Sequence, residues 1–377
     1  MKIVIAPDSF KGSISACEAT IAIDKGIRKV VPHANTILVP VADGGEGTTD
    51  SLVAATGGHL VDVTVTGPLG EAVQAQYGVL GDGQTCVIEM ASASGLILVP
   101  AELRNPLVTT TFGTGQLISH ALGSGFRRYL FAIGGSATND GGIGMLQALG
   151  LSLTDSSGQS IGFGGGELSR IAAIDDAAWD TRISECQFTI ASDVQNPLVG
   201  KEGASYVFGP QKGATSEMVE MLDAGMHNWA DRIAEKTGKR LHDSASAGAA
   251  GGLGAAFQAF FPSIETRRGI DIVIELTQLR EHLQGADLVI TGEGRIDEQT
   301  ASGKTPMGIA QEAQKLGIPV VVLAGSVGKG IESLYPVGVT SIHSIMNAPM
   351  SLQEAMLNAA ELLQDKAEQV VRTFLAR

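Results

Sequence analysis

The sequence predicts an α/β protein whose main domain is an open parallel sheet in two separate pieces. Three observations predict it. Apolar β-favouring runs, glycine-bearing polar loops and helical patterns follow one another at both ends of the chain, the middle has a different strand texture, and 377 residues exceed a single typical core.

The first strand is 2–6 (Lys-Ile-Val-Ile-Ala), uncharged after its first residue, as a strand covered on both faces should be. The loop Pro7-Asp-Ser-Phe-Lys-Gly-Ser13 follows, with Ser13 as expected N-cap of a helix whose apolar face is Ala16, Thr20, Ile23, Ile27 and Val30. A second strand, 36–39, runs into Val41-Ala-Asp-Gly-Gly-Glu-Gly-Thr48 and a helix through Ala55. From His59 the texture changes: 61–66, 72–80 and 85–90, separated by Gly67-Pro68 and Gly81-Asp-Gly83, read as an antiparallel meander. A helix at 114–122, a strand at 129–133, the loop Gly134-Gly-Ser-Ala-Thr-Asn-Asp-Gly-Gly142 with a helix through Leu149, a strand at 187–191, and helices at 217–236 and 251–261 complete the middle. After residue 270 the first texture returns, with strands at 287–291, 319–324 and 339–343 and helices at 304–316 and 351–375. Right-handed crossovers place the five outer strands in the order 2-1-3-4-5. The expectation is therefore a discontinuous flavodoxin-like domain, 1–57 and 270–377, carrying an inserted mixed α/β domain, 58–269, with the active site in the cleft between them.

Composition narrows the function. Twenty-six Lys and Arg against 40 Asp and Glu leave a formal charge of −14, which argues against nucleic acid or an anionic membrane as partner. An anionic small molecule must then be met by a few local cations and main-chain amides. Cys17, Cys86 and Cys186 have no metal or disulfide spacing. The chain opens directly on a strand, and no uncharged apolar run reaches roughly 18 residues, so a cytoplasmic protein is expected. Homo-oligomer formation is left open.

The stretch 288–306 is built like a site: an apolar strand reaches Thr291-Gly-Glu-Gly-Arg-Ile-Asp297, where Gly292 and Gly294 are expected to turn the chain at the strand's carboxyl end. Gly303-Lys304-Thr305 imitates the tail of a P-loop but has Glu298 where that motif needs glycine; Lys304 remains a candidate phosphate contact. Asp8 and Lys11 follow the first strand, Asp43 and Glu46 the second and Glu293 the third, so neighbouring strand ends bring together carboxylates that a magnesium ion would neutralise, with Asp43, Glu46 and Glu293 as the metal candidates. In the 134–142 loop, Gly134, Gly135, Ser136, Asn139 and Asp140 offer amides and side-chain hydrogen bonds to an anion, ahead of a helix N-terminus. Asp193 and Asn196 lie on a third strand-end loop, and Asp193 is the candidate general base for a substrate hydroxyl.

Together these loops, with Phe208-Gly-Pro-Gln-Lys-Gly213, resemble those of the type 1 bacterial glycerate kinases, in order and along essentially the whole chain. The resemblance implies phosphorylation of D-glycerate by ATP with Mg2+, mostly giving 2-phosphoglycerate and in some members described as giving the 3-phosphate. It also implies the interrupted flavodoxin-like fold. Within that reaction, Asp193, Lys11 and Arg295 are expected to be catalytic, Lys304 and the 134–142 loop to hold nucleotide, and Asp8, Ser9 and Asn196 to hold glycerate. A non-catalytic sugar-acid-binding protein is the competing expectation; a dinucleotide-binding dehydrogenase would want G-x-G-x-x-G after the first strand, which 7–13 does not supply.

Overall fold

The computed structural model describes residues 1–42, 44–298, 300 and 305–376. The chain divides into two compact units, the first Met1–Asp43, Asp50–Gly58 and Arg268–Arg377, the second Gly44–Thr49 and His59–Arg267.

The first unit holds a five-stranded, all-parallel sheet of Lys2–Pro7, Asn35–Leu38, Leu288–Ile296, Val320–Val327 and Val339–Ser344. In chain order its strands lie 2-1-3-4-5, as the handedness argument expects. Ile3, Ile5, Leu288, Ile290 and Leu323 pack with Ile23 and Ile27 of helix Ala16–Val30 and Leu363 and Val371 of helix Ala359–Leu375. The first helix starts two residues later than expected. Ser15, not Ser13, is its N-cap, because Glu18 stands three residues on and closes a reciprocal capping box. Ser13 Oγ instead donates to the Met356 carbonyl at 2.7 Å. The expected last helix is two, Leu352–Leu357 and Ala359–Leu375, parted at Asn358, whose Nδ2 donates to the Glu354 carbonyl.

A larger correction concerns the 288–306 stretch. The strand does not turn at its glycines. It continues to Ile296, with Gly292 opposite Leu323, Glu293 opposite Ala324 and Arg295 opposite Ser326. Gly292 is needed for closeness, since a Cβ there would strike the Leu323 carbonyl oxygen.

The second unit holds a mixed six-stranded sheet in the order Ile264–Arg267, Gln187–Ala191, Arg128–Ala132, Thr85–Glu89, Ala72–Val79, His59–Thr66. The last three pair antiparallel, as the alternation predicts, while Thr85–Glu89 joins the other strands in parallel register. Tyr129, Phe131 and Phe188 stack along one face, and Phe257 and Trp229 extend that core through the helices above it. Among the described residues, no helix is long and apolar enough to cross a membrane.

Candidate functional site

At the carboxyl edge of the first unit's sheet, Pro7 is in register with Gly292, so Asp8 and Glu293 each lie one step further along neighbouring strands. Both are nearly buried, at 4% and 9% exposure. Asp8 Oδ2 accepts from Thr305 Oγ1 at 2.8 Å and its Oδ1 from the Ser9 amide at 2.6 Å; Glu293 Oε1 accepts from Thr300 Oγ1 at 2.9 Å. Hydroxyls thus offset part of the cost of removing the two carboxylates from water. Ser9 Oγ is buried with no partner among the described residues. Lys11 is exposed and makes no ion pair among them. Arg295 points into solvent and its Nε meets Asp297 at 2.9 Å, an exposed pair of little energetic weight. Asp43 and Lys304 lie outside the described residues. Among the described residues no cluster of three or more His, Cys, Asp or Glu side chains is close enough to hold a metal ion.

In the second unit the segment carrying Glu46 is fastened by Glu89, a residue the sequence reading passes over. Its buried carboxylate accepts from the amides of Gly47 and Thr49, and Glu46 itself is exposed. Beside it, the Gly134 amide donates to the Gly44 carbonyl.

The 134–142 loop is the most constrained feature of this unit. Asp140 has no exposure. Its Oδ2 accepts from the Thr111 amide and hydroxyl, both at 2.8 Å, and from the Gly144 amide at 3.4 Å, while Oδ1 accepts from the Gly142 amide at 3.1 Å. Burial pushes its pKa up; the bonds from Thr111, Gly142 and Gly144 pull the other way. Asp140 therefore fixes the loop's shape, and a direct contact with nucleotide would require these bonds to break. The expected anion site at the following helix is also weaker than foreseen. That helix, Ile143–Ala148, has six residues, and the Gly142 and Gly144 amides are already turned to Asp140.

Other bonds hold the loop from behind. Trp229 Nε1 donates to the Gly141 carbonyl at 3.0 Å, and the Gly141 amide donates to the Gly251 carbonyl at 3.0 Å. Gly251 sits at φ +69°, where a Cβ would strike the Thr138 carbonyl oxygen. Asn139 Nδ2 donates to Ser205 Oγ at 2.9 Å, while Asn139 Oδ1 and Thr138 Oγ1 are buried without partners among the described residues. Asp193 is exposed just beyond strand Gln187–Ala191, and Asn196 Nδ2 donates to the Glu202 carbonyl at 2.8 Å.

Lys212, given no role by the sequence reading, lies beneath this loop at 2% exposure. Its Nζ donates to Ser136 Oγ at 2.8 Å and to the Thr138 carbonyl at 2.6 Å, with no carboxylate in ion-pair range among the described residues. Burial pulls its pKa from the ordinary 10.5 down to about 7, and the Asp140 charge opposes that shift. Between pH 7 and 10 the unfolded chain then binds more protons than the folded one, so wild-type stability rises with pH across that window. Lys212→Met lacks this dependence. Between pH 7 and 9 the wild type should gain about 2 kcal/mol relative to the variant in chemical denaturation; parallel pH profiles would show that Lys212 titrates normally.

Comparison with known proteins identifies the family. The family model described as "Glycerate kinase family" matches residues 3–375. The chain is 50% identical to "Glycerate kinase" of Bacillus subtilis (strain 168) over 374 residues, 99% of this chain and 98% of that one. It is 48% identical to "Glycerate 2-kinase" of Escherichia coli (strain K12) over 374 residues, again 99% and 98% of the two chains. A crystal structure of a protein provisionally assigned as glycerate kinase 2 from Salmonella typhimurium LT2 superposes with a TM-score of 0.86 at 48% identity, covering 100% of this chain and 98% of that one. A chain matched end to end in sequence and in fold belongs to the glycerate kinase family.

Proposed function

We propose that this protein transfers the γ-phosphoryl group of ATP to the C2 hydroxyl of D-glycerate, giving 2-phosphoglycerate and ADP. The carrying observation is the end-to-end match to the Escherichia coli protein named glycerate 2-kinase, at 48% identity. The site geometry is compatible with it. The first unit offers nearly buried carboxylates with hydroxyl partners, at Asp8 and Glu293, and the second a hydrogen-bonded, glycine-rich loop after strand Arg128–Ala132 with an exposed carboxylate, Asp193, just past the neighbouring parallel strand Gln187–Ala191.

In this reading Asp193 takes the proton of the C2 hydroxyl as that oxygen forms its bond to the γ-phosphorus. The bond from phosphorus to the β,γ-bridging oxygen breaks, and ADP leaves with the electron pair. Phosphoryl transfer depends on positioning and on neutralising charge on the equatorial oxygens more than on covalent chemistry. Lys11, exposed with no ion pair among the described residues, is the proposed cation for that charge; Arg295 shares its charge with Asp297. Asp8 and Ser9, with Asn196, are proposed to orient the hydroxyacid, and Lys304 to contact phosphate. A magnesium ion bound with the nucleotide would supply charge neutralisation. It commonly needs only one or two protein carboxylates beside phosphate oxygens and waters, a role proposed for Glu293 with Asp43 and Glu46 as further candidates. Cytoplasmic placement belongs to the same proposal.

A coupled assay for ADP release tests this reading. ADP should appear only when D-glycerate and a magnesium salt are both present, one per glycerate consumed. Saturable glycerate binding without ADP release would instead make the protein a sugar-acid-binding module.

A further inference from the structure

The Phe208-Gly-Pro-Gln-Lys-Gly213 motif has no part in the mechanism above, yet it delivers one of the least expected groups in the chain. Fully buried lysines are rare unless paired with a carboxylate. Lys212 is 2% exposed and has none within ion-pair range among the described residues. Both of its acceptors, Ser136 Oγ and the Thr138 carbonyl, lie on a loop that combines left-handed glycines with two buried polar atoms lacking partners among the described residues, Thr138 Oγ1 and Asn139 Oδ1.

The donor inventory ties the direction of the Ser136 hydroxyl to the charge of Lys212. An ammonium can only donate, so the Ser136 oxygen accepts from Lys212 and its own hydrogen is turned elsewhere. A neutral amine can accept that hydrogen instead, and the hydroxyl then turns inward. We propose that Lys212 is a positioning residue for an anionic group bound at the 134–142 loop: by donating to Ser136 Oγ and the Thr138 carbonyl it turns the Ser136 hydroxyl hydrogen toward a carboxylate or phosphate oxygen, with a positive charge behind it. This rests on the kinase reading for the identity of the anion, which is the glycerate carboxylate or a nucleotide phosphate. Ser136 touches the anion; Lys212 acts through it.

The inference carries a proton linkage. An anion against Ser136 favours the charged lysine, so binding above neutral pH should draw a proton from solution. The titratable group acting on Lys212 is Asp140, on the loop itself. From Ala204 to Gly213 the only other ionisable side chain is the exposed Tyr206, and Arg104 presents its carbonyl to Gly213.

Calorimetric titration of the whole protein with D-glycerate and, separately, with ADP, at pH 6.5 and pH 8 in buffers of different ionisation enthalpy, tests it. One of the two ligands should bind with proton uptake at pH 8 and more tightly at pH 6.5. Lys212→Met should weaken that ligand about 10- to 100-fold, the size of a lost hydrogen bond involving a charged group, abolish the uptake, and leave the other within about threefold. The affected ligand identifies the anion. Ser136→Ala, which keeps the Lys212 bond to Thr138, should weaken the same ligand and decides the matter if Lys212→Met does not fold. Wild-type affinity for both ligands in either variant, or no uptake by the wild type, overturns the inference. Should the wild type release no ADP with D-glycerate while linked ADP binding persists, the kinase reading fails and the Lys212 assignment stands.

Discussion

Replacing Asp193 by asparagine is expected to lower kcat for D-glycerate about 10²- to 10⁴-fold, the usual contribution of a positioned general base. The amide keeps the size and hydrogen-bonding reach of the carboxylate but cannot take the hydroxyl proton. Asp193 is exposed beyond the end of strand Gln187–Ala191 and asparagine keeps its shape, so the variant is expected to fold. Steady-state kinetics should show the loss in kcat with KM for glycerate changed much less, because proton transfer belongs to the transition state. Near-normal turnover in a folded variant would remove Asp193 from the mechanism.

The second large effect is structural. Asp140→Ala leaves the Thr111 amide and hydroxyl and the Gly142 and Gly144 amides without their acceptor in a site with no solvent exposure. Each buried donor left unmade costs about 1–3 kcal/mol. Relief of the burial cost evident in the raised Asp140 pKa offsets part of the sum, so the expected net loss is about 3–5 kcal/mol in urea unfolding. That is a large fraction of the 5–15 kcal/mol typical of a whole domain. Asp140→Asn keeps one acceptor oxygen and should lose about half as much. A loss below about 1 kcal/mol for the alanine variant would mean that the carboxylate is not what shapes the loop.

Asp140 also shows where sequence reading stops. A carboxylate between glycines looks the same whether it faces a ligand or folds inward to collect amide hydrogens; only the position of Thr111, twenty-nine residues away, distinguishes the two. The parallel sheet was legible because buried strands are apolar throughout and crossover handedness leaves few orders open. The N-cap was misplaced at Ser13, although the Ser-x-x-Glu spacing that marks Ser15 was present in the sequence. Gly292 misled because glycine serves both turns and close backbone approach, and the partner it approaches, Leu323, is remote in sequence. Lys212 was hidden by composition itself: lysine is ordinarily solvated, and nothing adjacent to it forecasts burial. Asp8, Glu293 and the 134–142 loop were singled out from the sequence as candidates, whereas the groups that hold them, Thr300, Thr305 and Thr111, carry no local signal.

The central claim is a phosphoryl group moved from ATP to one particular oxygen of D-glycerate. A proton-coupled phosphorus NMR spectrum of the reaction tests it directly. Phosphate on C2 is split by the single proton of that carbon into a doublet, and phosphate on C3 by two protons into a triplet. The expected result is a growing monoester doublet as the γ-phosphorus signal of ATP declines. A triplet would contradict the assigned oxygen, and an unchanged ATP spectrum with folded protein and D-glycerate present would contradict the transfer itself.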